Sequence, residues 1–432
     1  MIPLEWMQHA PKPRELKSGQ KWNVFLSYRS VNRTWVLNLY DILIELGFKV
    51  FIDQCILEPG DELIYRLQEA LRTSQAGILM WSSAAEDSKW VRKEYETMER
   101  KATESEDFKF IPIKLDAQLL PDFAANRIFM DFSSYPDGPN GGELIRLLYG
   151  IVGKPLDAAT ARFANQQDEI SNEVFKEINA AVRNGYPEDI LQLSESEILP
   201  WRSSPSLGCK AADSLIKLKK YDEAIAILEK LEARFVKAVR PKQLHALALA
   251  RVGGKENVKQ AQKILGKLYE QGERDPETLG IYARTWMDRY NISQSKIDLE
   301  QSLKYYAEAF DKAPDDYYTG INAATKSLLL ATDNSIRQAE EYAGKTLEIV
   351  GTKPWPDNYW KTATVAELLL IKKQYKEAAH MYAEAVKMEP NSYGNHESTR
   401  NQAVKILAGL GAASENRLEI LASFKHLDNA DV

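Results

Sequence analysis

Apolar residues in the first third of the chain follow two alternating rhythms. Trp22-Asn23-Val24-Phe25-Leu26-Ser27-Tyr28 is a short apolar run, Thr34 to Leu46 repeats apolar side chains at helical spacing and stops at Gly47, and Phe48 to Ile52 is apolar again. A stretch rich in turn residues, Asp53 to Asp61 with Pro59-Gly60 inside it, leads to a helical Leu63 to Leu71. Gly77 to Trp81 then reads as a strand and Trp90 to Lys101 as a helix. Phe110 to Ile113 and Arg127 to Met130 read as strands, and Leu144 to Val152 as a last helix. Strands separated by helical crossovers predict a parallel sheet with helices on both faces. In such sheets the ligand crevice lies beyond the carboxyl ends of the strands.

Past Pro155 the strand signals stop. Asp157 to Gly185 reads as a charged helical connector, and Tyr186-Pro187 with Leu199-Pro200-Trp201 punctuates the entry to the next unit. Small residues then recur at Ala224, Ala261, Ser302, Ala339 and Ala378, in steps of 37, 41, 37 and 39 residues. The clearest copy is Tyr375-Lys376-Glu377-Ala378-Ala379 with Tyr382, Ala385 and Pro390. Small residues at this interval allow close approach of paired helices, which predicts an all-helical repeat array. The pattern divides the chain into a tail at 1–20, an α/β domain at 21–155, a connector at 156–198, an array at 199–411 and a tail at 412–432.

Composition narrows the chemistry. The chain has 432 residues, 44% hydrophobic and 27% charged, with a formal net charge of −6 and no basic cluster interleaved with aromatics, so nucleic acid is not indicated. Two cysteines, Cys55 and Cys209, lie far apart and share no ligand spacing with histidine, which implies no metal site and a reducing, cytoplasmic setting. No segment approaches a membrane span. The α/β region has neither GxxxxGK[ST] nor GxGxxG, and before residue 245 the only histidine is His9 in the tail. Chemistry in this domain therefore rests on carboxylates.

Ser88-Lys89-Trp90-Val91-Arg92-Lys93-Glu94 is the strongest local signal. At i, i+4 spacing Trp90 and Glu94 share one helix face, setting an aromatic wall beside a carboxylate. Such a pair is also what a half-buried anchor beside a solvated acid looks like. The topology gathers four segments at one edge: Ser27-Tyr28-Arg29-Ser30, Asp53 to Asp61, Ser82 to Lys89 and the start of the Glu94 helix. Arg29 is placed to compensate the Glu94 charge, and reads equally as a surface ion-pair partner; Asp53 reads equally as a turn cap.

Val24-Phe25-Leu26-Ser27-Tyr28-Arg29, Phe51-Ile52-Asp53 with Leu57-Glu58-Pro59-Gly60-Asp61, and Ser88-x-Trp90-x-x-x-Glu94 resemble, in order, three motifs of TIR domains of the NAD-cleaving bacterial type. The resemblance implies a flavodoxin-like parallel sheet, Glu94 as the catalytic residue, and Trp90, Tyr28, Arg29, Asp53 and Ser88 around the substrate. It implies NAD+ as substrate with no cofactor. It also implies self-association through Glu58, Pro59, Gly60 and Asp61, whose loop completes a neighbouring molecule's pocket. Glu62 departs from the animal axon-degeneration enzyme, which has an aromatic there. The array resembles a TPR, and Asp316 to Thr325 with Tyr359 to Glu367 resemble the TPR-like regulatory region of apoptosis-signal-regulating kinases. These resemblances imply an antiphage NAD+ glycohydrolase whose array receives a protein trigger. A non-catalytic adaptor signalling through TIR–TIR contact and a cyclase making a cyclic ADP-ribose-type signal remain the alternatives.

Overall fold

β1 (Trp22–Ser27), β2 (Val50–Phe51), β3 (Ser74–Trp81), β4 (Lys109–Lys114) and β5 (Met130–Asp131) form one sheet in the order β2-β1-β3-β4-β5, and every described pairing is parallel. The computed structural model describes all residues except 1, 53–62, 87–88, 122–123, 125–126, 197, 315, 357, 391 and 430–432. Its described residues fall into two compact units, Met1–Asn257 and Val258–Val432.

In the first unit β3 is buried along its whole length, as a central parallel strand covered on both faces must be. The described helices are α1 (Leu4–Met7), α2 (Arg33–Glu45), α3 (Leu63–Arg72), α4 (Ser83–Glu86), α5 (Lys89–Glu104) and α6 (Gly141–Val152). They are followed by α7 (Ala158–Asn184), α8 (Pro187–Glu195), α9 (Leu199–Ser203), α10 (Ser206–Lys217), α11 (Tyr221–Arg234) and α12 (Val239–Val252). The strand expected at Arg127 to Met130 is corrected to Met130–Asp131, because only these two residues find partners, Ile113 and Lys114, on β4. Ile128 and Phe129, which suggested the strand, lie exposed.

The segment expected as an N-terminal tail is packed instead. Ile2 and Trp6 are buried, and the Arg14 guanidinium donates to the carbonyls of Asp107 and Gln75 at 3.1 and 3.2 Å. Nor does the first unit stop at residue 155. Asp168 on α7 accepts from the Gly142 amide at 2.5 Å and from Arg146 at 2.6 Å, both on α6. Farther along, Asp137 accepts from Arg240 of α12 at 2.8 Å.

The second unit is helical throughout its described residues: α13 (Lys255–Glu270), α14 (Pro276–Ser293), α15 (Lys296–Lys312), α16 (Tyr317–Leu330), α17 (Asp333–Val350), α18 (Tyr359–Ile371), α19 (Tyr375–Met388), α20 (Tyr393–Gly409), α21 (Ser414–Leu421) and a 3-10 segment at Ala422–Asn429. Helices pack as hairpins, α14 on α15, α16 on α17 and α18 on α19. The five periodic small residues fall on α11, α13, α15, α17 and α19, and each is fully buried. A larger side chain at any of them would push two helices apart. The stretch expected as a C-terminal tail carries α21 and the 3-10 segment, with Ile420 and Phe424 buried. Among the described residues no helix is long and apolar enough to cross a membrane.

Candidate active site at the carboxyl edge of the sheet

Strand order reverses around β1, with β2 on one side and β3 on the other. This is the topological switch point where an open parallel sheet leaves a crevice at its carboxyl ends. Ser27 is the last residue of β1 and is buried. Its Oγ–H donates to Oε2 of Glu94 at 2.5 Å, which brings the half-buried carboxylate of α5 to the end of β1. A hydroxyl donor satisfies one carboxylate oxygen and fixes the rotamer of the acid.

α5 is held against the sheet one turn farther on. A Cβ at Gly77 of β3 would come within 2.8 Å of Met98 Sδ and 3.0 Å of Phe108, so only glycine admits the buried Met98 at this spacing. Glu94 and Met98 are four residues apart and share a helix face. Lys101 then donates its ammonium to the carbonyls of Leu71, Arg72 and Ser74, each at 2.8 Å, closing the end of α3 and the start of β3. Burial brings its pKa down to about 8. The Glu94 helix is thus fixed at three points along one face.

Around Glu94 the strand ends are tied together by polar side chains. Asn32, in a 3-10 turn at Ser30–Asn32, donates to Ser82 Oγ at 2.8 Å, bridging the exits of β1 and β3. Arg33 is buried and donates to the Tyr28 hydroxyl at 3.1 Å. The Ser83 amide donates to Asp116 at 2.7 Å, adding the exit of β4. Arg29 makes no ion pair among the described residues, and its Nε is buried without a hydrogen-bond partner. The compensating contact expected between Arg29 and Glu94 is therefore absent, and the Ser27 hydroxyl meets the carboxylate instead.

Of the residues expected around the substrate, Tyr28, Arg29 and Glu94 are described and lie at this edge. Trp90 is placed on α5 one turn before Glu94, with its side chain outside the described residues. Asp53, Ser88, Glu58, Pro59, Gly60 and Asp61 also lie outside them. Ser27, Asn32, Arg33 and Ser82 were not singled out as site residues. A readable signal existed for two of them, since Ser27 and Ser82 are the hydroxyls at the ends of the apolar runs of β1 and β3.

Residues 24–146 match the TIR domain family and residues 220–329 match the family described as Tetratricopeptide Repeats-Sensor. A probable 2′ cyclic ADP-D-ribose synthase of Brachypodium distachyon is 32% identical over 76 residues, 17% of this chain and 34% of that protein. The chain thus spans about a third of that relative's length. A TPR protein of Thermus thermophilus covers 46% of this chain and 97% of its own at 17% identity, with a TM-score of 0.37. MamA of Desulfovibrio magneticus covers 41% and 93% at 15% identity, with a TM-score of 0.32. The chain carries a TIR domain followed by a TPR-like sensor domain.

Proposed function

We propose that the TIR domain cleaves the bond between nicotinamide and ribose in NAD+, with Glu94 as the catalytic carboxylate. The observation that carries this reading is the Ser27–Glu94 contact, which puts an oriented acid at the switch-point crevice. Nicotinamide leaves as a cationic heterocycle. When the C1′–N bond breaks, its electron pair neutralises the ring nitrogen, so no general acid is required and a single carboxylate is sufficient. Glycosidases with alkoxide leaving groups need a second one. Glu94 stabilises the positive charge that develops on the ribose ring, and a preorganised anion does this best where water is excluded. Arg29, whose Nε has no hydrogen-bond partner among the described residues, suits the anionic diphosphate of the same substrate.

Water adding to C1′ gives ADP-ribose and releases a proton. The second reading is cyclisation, in which a hydroxyl of the same molecule takes the place of water; the name of the Brachypodium distachyon relative favours it. In either case the array acts as the control element of a cytoplasmic, cell-suicide type of immune effector that works through self-association of TIR domains. Incubating the full chain with NAD+ and resolving nicotinamide, ADP-ribose and cyclic products by chromatography tests the proposal. Nicotinamide release supports it and the second product separates the readings. No release at high protein concentration supports a non-catalytic adaptor.

A further inference from the structure

The second unit contains a cavity of about 330 Å³ that the TIR chemistry does not use. Its walls come from α14, α15, α16, α18 and α20, so it lies on helices from successive hairpins. Lys326 and Glu367 face it from neighbouring helices, together with Lys405 and the ion pair of Arg284 with Asp288. Lys326 on α16 is 5% exposed, and its ammonium donates to Asn322 Oδ1 at 2.6 Å and lies 5.4 Å from the Tyr306 ring centre. Glu367 on α18 is half-buried and forms no hydrogen bond or ion pair among the described residues. Neither has an opposite charge within ion-pair distance among those residues. Ionisable groups left this way cost stability, and such groups cluster at functional sites.

We propose that this cavity is a binding site for a small ampholyte, a ring-bearing molecule with one anionic group for Lys326 and one hydrogen-bond-donating group for Glu367. Lys405 adds positive charge at the same cavity, Arg284 being paired there with Asp288 at 3.2 Å, and Trp360, half exposed, lies on its wall. Burial drives the Lys326 pKa down to about 7 and that of Glu367 up to about 8, as expected of groups waiting for a counter-charge. The lining is mostly polar, with Tyr306, Tyr318 and Trp360 as its aromatic part, so a ligand would be held by hydrogen bonds and charge around a flat ring. Nucleotides, with phosphate and ribose hydroxyls, and amino acids, with carboxylate and ammonium, share this chemistry. The array then receives a chemical signal.

The test uses the full chain and two probes, adenosine 5′-monophosphate and L-phenylalanine, each titrated to about 1 mM, the weak end of useful affinity, with binding read by calorimetry. Binding of either probe, weakened about tenfold or more in both Lys326→Met and Glu367→Gln, supports the site, and the probe that binds identifies the source. Binding of neither, or binding unchanged in both variants, overturns it. A second measurement guards against misfolding. The double variant Lys326→Met/Glu367→Gln should melt at or above the wild-type temperature, because a buried amine and a carboxyl, both without ion-pair partners among the described residues, are removed together. A marked drop in its melting temperature would make the pair structural and overturn the proposal.

Discussion

Among the described residues Glu94 meets the Ser27 hydroxyl and not Arg29, and this changes what mutation should do. Ser27→Ala removes the donor at 2.5 Å but leaves the carboxylate, so turnover should fall about tenfold while KM for NAD+ changes little. Steady-state kinetics on the folded variant checks this, and an unchanged kcat would show that the contact does not position the acid. The Trp90 and Glu94 spacing is legible from the sequence because both lie on one helix. Ser27 is 67 residues away, and its role exists only once the strand order is known. Glu367 offers a second test at this scale. Its folded pKa of about 8 lies above the ordinary 4.5, so its contribution is fully present below 4.5 and is lost as pH rises through 8. Lys326, lowered from 10.5 to about 7, contributes in the opposite sense, its burial cost fading as pH climbs from 7 to 10.5. The melting temperature of the array should therefore decline from about pH 5 to pH 7, above which the Lys326 contribution offsets that of Glu367, and Glu367→Gln should flatten that decline. Calorimetric scans across this range measure it, and parallel slopes for the two proteins would refute the assignment.

At the scale of elements, α5 carries the site and its seat decides the geometry. Gly77→Ala forces Met98 and Phe108 to move, so the helix should lift and activity should fall more than stability does. Lys101→Met leaves three carbonyls without their ammonium and should cost roughly 1–3 kcal/mol, read from denaturant unfolding. An unfolding midpoint within error of wild type would show that water replaces the ammonium. Nearly every helix of the TIR domain was legible from period alone, since each buries one face. The strand at 127–130 was misread because apolar residues in sequence say nothing about whether a partner strand is within reach. The small-residue interval of the array was legible for a simpler reason: each anchor sits where two helix backbones meet, and little else fits.

For the molecule as a whole, the sequence suggests a break near residue 155, whereas the first unit runs on to Asn257. Asp168 of the connector and Arg240 of α12 pair back onto Arg146 and Asp137, and partners 22 or 103 residues apart cannot be recognised from local pattern. The Asp137–Arg240 pair is largely buried, and Arg240→Ala should cost about 2 kcal/mol or more, measured as a lower midpoint for the first unit in the full chain. The role of Glu94 is measured by following nicotinamide release from NAD+ with wild type and Glu94→Gln in parallel, at equal concentration and with matched melting curves. Steady release by the wild type and a loss of at least about a hundredfold in the variant are expected, the scale of removing a group that meets transition-state charge. Equal release by the two proteins would contradict that role.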